Sequence, residues 1–142
     1  MVISVAVETL VLSERCRNRN MFPKRSKWMV RMEKRTFLEG EILFAEGQQG
    51  TRAFIIKKGS VTVTRATKGG WEKHVATIKE GNIVGEMSLI DDSPHSVTAT
   101  ARQDGEAMVL TRDEYKKRLE NSDKVLALLL RTFADKLRAT YE

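Results

Sequence analysis

From about residue 36 the apolar positions come in short runs cut by glycines, and the runs alternate as strands do. Phe37, Ile42, Leu43 and Phe44 lie around the Glu39-Gly40 and Glu46-Gly47 turns. Ala53 to Lys57 reads as an apolar strand, and Val61-Thr62-Val63-Thr64 alternates cleanly after Gly59. Lys68-Gly69-Gly70 marks a hairpin leading into His74-Val75-Ala76-Thr77-Ile78, with further strands expected at Val97 to Ala101 and Ala107 to Leu110. Turns recurring every 8 to 12 residues or so predict an antiparallel sandwich or barrel. Gly40, Gly47, Gly59 and Gly81 fall at turns and are expected to be structural.

After Leu110 the period becomes helical. Thr111 with Glu114 three residues on forms a capping box for a helix to about Glu120, and Asn121-Ser122 is expected to cap a second helix from about Asp123 to residue 140. In that helix Leu126, Leu130, Phe133 and Leu137 share one stripe, widened by Leu129 and Ala134. The stripe needs cover, and packing on the barrel is the expected role, with a mobile lid or a dimer helix as the functional one.

The chain has 142 residues, 41% hydrophobic and 31% charged, which suits one domain with a modest core. No apolar run approaches the roughly 20 residues that span a bilayer, and Met1 to Leu12 is interrupted by Glu8 with no basic residue before it. A cytoplasmic protein is expected. The single cysteine, Cys16, has no partner for an internal disulfide and reads as a free, inert thiol. The formal charge of +6 is partly local, because nine basic residues from Arg15 to Arg35 crowd a segment with no acid between Arg15 and Met32. Residues 1–33 are read as a basic arm or helix and 34–142 as the domain. A solvated arm is the simpler reading; attraction to nucleic acid, anionic lipid or an acidic partner is the other.

The chemistry concentrates in Gly85-Glu86-Met87-Ser88-Leu89-Ile90-Asp91-Asp92-Ser93-Pro94-His95-Ser96-Val97-Thr98-Ala99. A glycine followed by the short apolar turn from Met87 to Ile90 places unpaired backbone N–H groups around an anion, as the first turn of a helix does. Ser88 adds a hydroxyl donor, and an ionised Glu86 accepts from two adjacent sugar hydroxyls.

This stretch resembles the phosphate-binding cassette of cyclic-nucleotide-binding domains. Two more blocks resemble the same family in the right order: Leu38 to Gly47 its first hairpin, and Ala53-Phe54-Ile55-Ile56-Lys57-Lys58-Gly59-Ser60-Val61 its core signature. The resemblance runs from Lys34 to the C-terminus. It implies a mainly β fold, a double-stranded β-helix or jelly-roll-like β-roll of eight strands followed by C-terminal helices. It also implies cAMP or cGMP as a regulatory ligand rather than a cofactor, with Gly85, Glu86, Met87, Ser88, His95, Ser96 and Thr140 as the ligand-binding residues. Thr140 stands where the catabolite gene activator contacts adenine, and Ser96 where some relatives hold a base-contacting threonine. One position departs from the pattern: the arginine that grips the cyclic phosphate is His95 here. A guanidinium carries a fixed charge and a two-pronged fork, whereas an imidazole is mostly neutral at pH 7, so a ten- to few-hundredfold weakening is expected from roughly 1.5–3 kcal/mol of lost interaction. A His95 that touches phosphate would bind more tightly as pH falls, and its simpler alternative is a solvated loop histidine.

Two further readings stand beside the sensor. A ligand-free module of the same fold would use the basic arm and the C-terminal helix for protein interaction, either with a partner or as a homodimer. An enzyme of the cupin kind would need a cluster of metal ligands, and the chain has only His74 and His95 as histidines, so no enzyme and no metal are expected. Asp91-Asp92 reads as a polar loop. The catabolite activators continue from a long helix into a helix-turn-helix, whereas this sequence ends at Glu142, so sequence-specific DNA binding is not expected.

Overall fold

A computed structural model describes residues 32–141; the basic arm, with Cys16, lies outside the described residues apart from its last two positions. Eight strands form two four-stranded antiparallel sheets. The first, in the order β1-β8-β3-β6, contains β1 (Glu33–Phe37), β8 (Gly105–Thr111), β3 (Arg52–Lys58) and β6 (Ile83–Val84). The second, in the order β2-β7-β4-β5, contains β2 (Ile42–Phe44), β7 (Thr98–Ala101), β4 (Ser60–Ala66) and β5 (Glu72–Lys79). Among the described residues three helices join the roll: α1 (Glu86–Asp91), α2 (Arg112–Glu120) and α3 (Lys124–Tyr141). The mainly β roll with C-terminal helices is thus the observed architecture. The expected strands are present, each within about two residues of its expected ends. β1 begins at Glu33, inside the expected arm, and the two-residue β6 was too short to show a period.

Period-two alternation sorts the side chains into layers. Phe54 and Ile56 of β3, Ala107 and Val109 of β8, and Val61 and Val63 of β4 point between the sheets into the main core. Ile55 and Met108 face the other way and pack with Met32 on the outside of the first sheet. That second layer explains why Ala53 to Ile56 is a continuous apolar run, since β3 is buried on both faces.

The ends of the helices differ from expectation in instructive ways. Thr111 Oγ1 accepts from Glu114 N at 3.2 Å, while the Glu114 carboxylate pairs with Arg118 at 2.9 Å. The start of α3 is capped by Asp123, whose Oδ1 accepts from Val125 N at 2.7 Å, and not by Asn121-Ser122, which belong to the end of α2. The apolar stripe of α3 does not pack on the roll. Ala134 alone is buried; Leu126, Leu129, Leu130, Phe133 and Leu137 are exposed. α3 instead meets α1 through its polar edge, so the small residue at 134 admits the close approach and flanking arginines make the bonds. No helix among the described residues is long and apolar enough to cross a membrane.

Candidate functional site

The cassette forms the crossover from β6 to β7, and α1 is its helical part. Two glycines set its position. Gly85 precedes α1 with φ of 85°, and a Cβ there would lie 3.0 Å from Phe44 Cε1 and 3.3 Å from His95 Cε1. Left-handed backbone and lack of room both demand glycine at this position. Gly50 abuts the other side of the helix, where an added Cβ would overlap the Ser88 side chain. The loop before β3 is tied to the cassette by backbone bonds in both directions: His95 N donates to Gln48 O at 2.9 Å and Gly47 N donates to His95 O at 2.8 Å.

His95 is neither a solvated loop residue nor a charge held out toward solvent. It is 6% exposed, its ring stacks on Phe44 with centroids 3.9 Å apart, and Nδ1 lies 3.1 Å from Ser88 Oγ in a buried hydrogen bond whose direction follows the ring tautomer. Phe44 in turn stacks on Phe54, over which the Arg35 guanidinium sits 5.4 Å from the ring centroid. Burial, helped by the positive charge of Arg138, pushes the His95 pKa below its ordinary value. The imidazole is therefore a packed element of the site whose burial favours the neutral form.

A cleft opens between the cassette and the wall made by β4 and β5. Gly85, Glu86, Met87, Ser88, His95 and Ser96 all line it, facing Val63, Val75, Ala76 and Ile78. Burial pushes the Glu86 carboxyl above the usual carboxylate range. Thr140 is not brought to this cleft: it is exposed near the end of α3, and its Oγ1 donates to Leu137 O at 2.6 Å. A hydroxyl that back-bonds to its own helix is spent locally.

Sequence reasoning missed Arg65, which is half-buried and lines the same cleft from β4. The signal was available. Val61, Val63 and Arg65 are spaced by two, so the strand that sends both valines inward sends the arginine inward as well. Also missed were three arginines that brace the cassette from behind. Arg112 donates to Gly50 O and Ser88 O and pairs with Asp92 at 3.1 Å. Arg138 holds Asp91 through Nε–Oδ2 at 2.6 Å and Nη2–Oδ1 at 3.0 Å, and Arg131 donates to Ile90 O at 3.2 Å. The sequence predicts a polar loop at Asp91, yet its side chain is 7% exposed. Burial alone would raise its pKa, but the Arg138 fork and the Ser93 amide outweigh that and hold it below the ordinary value. No cluster of three or more His, Cys, Asp or Glu suited to a metal ion occurs among the described residues.

Comparison with known proteins places the fold. The family described as cyclic nucleotide-binding domain matches residues 34–122. A CRP-like cAMP-activated global transcriptional regulator of Mycobacterium tuberculosis is 31% identical over 104 residues, covering 73% of this chain and 46% of the regulator. Among solved structures, the cAMP-bound and cGMP-bound forms of the EAL enzyme Bd1971 superpose with a TM-score of 0.69 at 32% and 34% identity, over 75% of this chain and 28% of theirs. The catabolite activator protein of Thermus thermophilus does so with a TM-score of 0.64 at 25% identity, over 80% of this chain and 51% of its own. The chain spans under half the length of the curated relatives it matches. The family match and the superpositions agree with the two-sheet roll, and the chain belongs to the cyclic nucleotide-binding domain family.

Proposed function

We propose that the domain is a regulatory sensor that takes cAMP or cGMP into the cleft between the cassette and β4–β5, with affinity weakened because His95 stands in place of an arginine. The observation that carries this reading is the convergence of Gly85, Glu86, Met87, Ser88, His95 and Ser96 on one cleft. Glu86 is the group for the ribose diol, and its raised pKa fits a carboxylate whose hydrogen-bond partners arrive with the ligand. The apolar residues Val63, Val75 and Ile78 offer a surface for the base. Movement of α1 on binding would be felt by α3 through Asp91–Arg138 and Ile90–Arg131, so occupancy and helix position are linked by differential contacts. The role is binding and not catalysis.

Millimolar cAMP and cGMP should each be titrated into the protein, with melting temperature and heat of binding as the readouts. At 100 times the dissociation constant a ligand stabilises the fold by about 2.7 kcal/mol, so even a weak site registers. Because burial holds the His95 pKa below its ordinary value, affinity is expected to depend less on pH near neutrality than an ordinary imidazole on the phosphate would make it. A clear strengthening as pH falls would instead mean that the bound phosphate recruits a proton to His95. No response to either nucleotide would overturn the sensor.

A second reading, a ligand-free interaction module, is favoured by the exposed apolar residues of α3, among them Leu128 at 67% and Phe133 at 58% exposure. The same titration separates the two, since a scaffold gives no nucleotide-dependent change.

A further inference from the structure

A cyclic nucleotide carries one full negative charge, and the cassette presents no lysine or arginine side chain to the cleft to oppose it. Its only titratable groups that line the cleft are Glu86, an acid, and His95, packed on Phe44 and bonded to Ser88. Across the cleft stands Arg65. Among the described residues lining this cleft it is the only lysine or arginine.

Strand register locates it further. β4 pairs with β7 without interruption from Val61↔Ala101 to Thr64↔Thr98, so the next step along the antiparallel pair brings Arg65 level with Val97. Val97 directly follows His95 and Ser96. On its other side β4 shifts register against β5 between Val63 and Thr64, and pairing resumes at Thr64↔His74 and Arg65↔Lys73. The extra residue of that irregularity is Val75 on β5, so β4 itself keeps its alternation and Arg65 stays on the face of Val61 and Val63. Arg65 thus lines the cleft from the β4 wall, and the ladder's next step falls at Val97, which lines the same cleft where the chain leaves the cassette.

We propose that Arg65 supplies, from the β4 wall, the phosphate-binding cation that the cassette does not supply at position 95. The assignment rests on the cyclic-nucleotide reading of the cleft. A guanidinium offers five donors in a fixed fork, so it can engage two phosphate oxygens while keeping contacts to protein. The consequence is a divided site: Glu86 and Ser88 on the helical side for the sugar and phosphate edge, and the charge on the sheet side.

The test compares the wild-type chain with Arg65→Gln and Arg65→Lys, using cAMP and cGMP as charged probes and adenosine and guanosine as uncharged ones. Arg65→Gln should weaken both cyclic nucleotides by roughly 10- to 100-fold while changing nucleoside affinity by less than about threefold. Arg65→Lys keeps the charge and should lose less than the glutamine variant. The affinity of the wild type for cyclic nucleotides should also fall more steeply with salt than that of Arg65→Gln. Melting of each unliganded variant within about 0.5 kcal/mol of wild type identifies an intact fold. Wild-type affinity for cyclic nucleotides in Arg65→Gln, or an equal loss for nucleosides, overturns the assignment and leaves the sensor standing. A wild-type chain that binds neither cyclic nucleotide overturns both.

Discussion

Replacing Arg138 by leucine is expected to free α3 from the cassette and to destabilise the docked state by about 3 kcal/mol. The leucine would leave Asp91 as a carboxylate only 7% exposed with no guanidinium facing it. Two bonds at 2.6 and 3.0 Å would be lost at once. The chain has a way to limit the damage, because lifting α3 returns water to Asp91. The loss therefore appears as local opening and not as global unfolding, and amide hydrogen exchange is the measurement that distinguishes them. Exchange in α3 should quicken by roughly 100-fold, at about 1.4 kcal/mol for each factor of ten, while β3 and β8 keep their protection. Unchanged protection in α3 would mean that Arg131 and Ala134 hold the helix without the pair. Acid should mimic the substitution only at low pH. The folded-state pKa of Asp91 is depressed, so the stabilisation is fully present above the unfolded value of about 3.9 and is lost as pH falls through the folded value.

Glu86→Gln is expected to separate binding from stability. Cyclic-nucleotide affinity should drop by roughly ten- to a few-hundredfold, because an amide cannot accept from both ribose hydroxyls as an ionised carboxylate does. The unliganded fold should melt at the same temperature or higher. Burial raises the Glu86 pKa, so ionising it in the folded protein carries a penalty that is absent below the unfolded value of about 4.3 and grows as pH rises through the folded value. Glutamine is free of that penalty, and its advantage over the wild type should be larger at pH 7.5 than at pH 4.5. Calorimetric titration and thermal melts at the two pH values test both halves. Unaltered affinity would remove Glu86 from the site.

Much of the roll was legible because its rules are local. Alternation at Val61 to Thr64, the Lys68-Gly69-Gly70 turn and the glycines at 40, 47, 59 and 81, all with positive φ, state strand and turn without reference to distant residues. The grouping of the cassette residues in one cleft was legible for a similar reason, since they are neighbours in sequence. What stayed hidden depends on contacts between distant segments. Nothing around His95 says that Phe44, 51 residues earlier, will take its ring inward, and nothing around Asp91 announces Arg138. The stripe on α3 misled because amphipathicity tells which face is apolar and not what that face meets. Arg65 is hidden in the sequence because it follows the Val61 to Thr64 alternation as a charged residue, and only the fold shows that this face of β4 borders the cleft.

The stacking of His95 on Phe44 gives the site its own magnetic signature. With centroids 3.9 Å apart and planes within 18°, the imidazole C–H protons lie over the phenyl face, where its ring current shields them. The chain has two histidines, and His74 lies exposed on β5. A proton spectrum of the imidazole region therefore holds one ordinary pair of resonances and one displaced upfield, and the displaced pair reports any event that draws the ring away from Phe44.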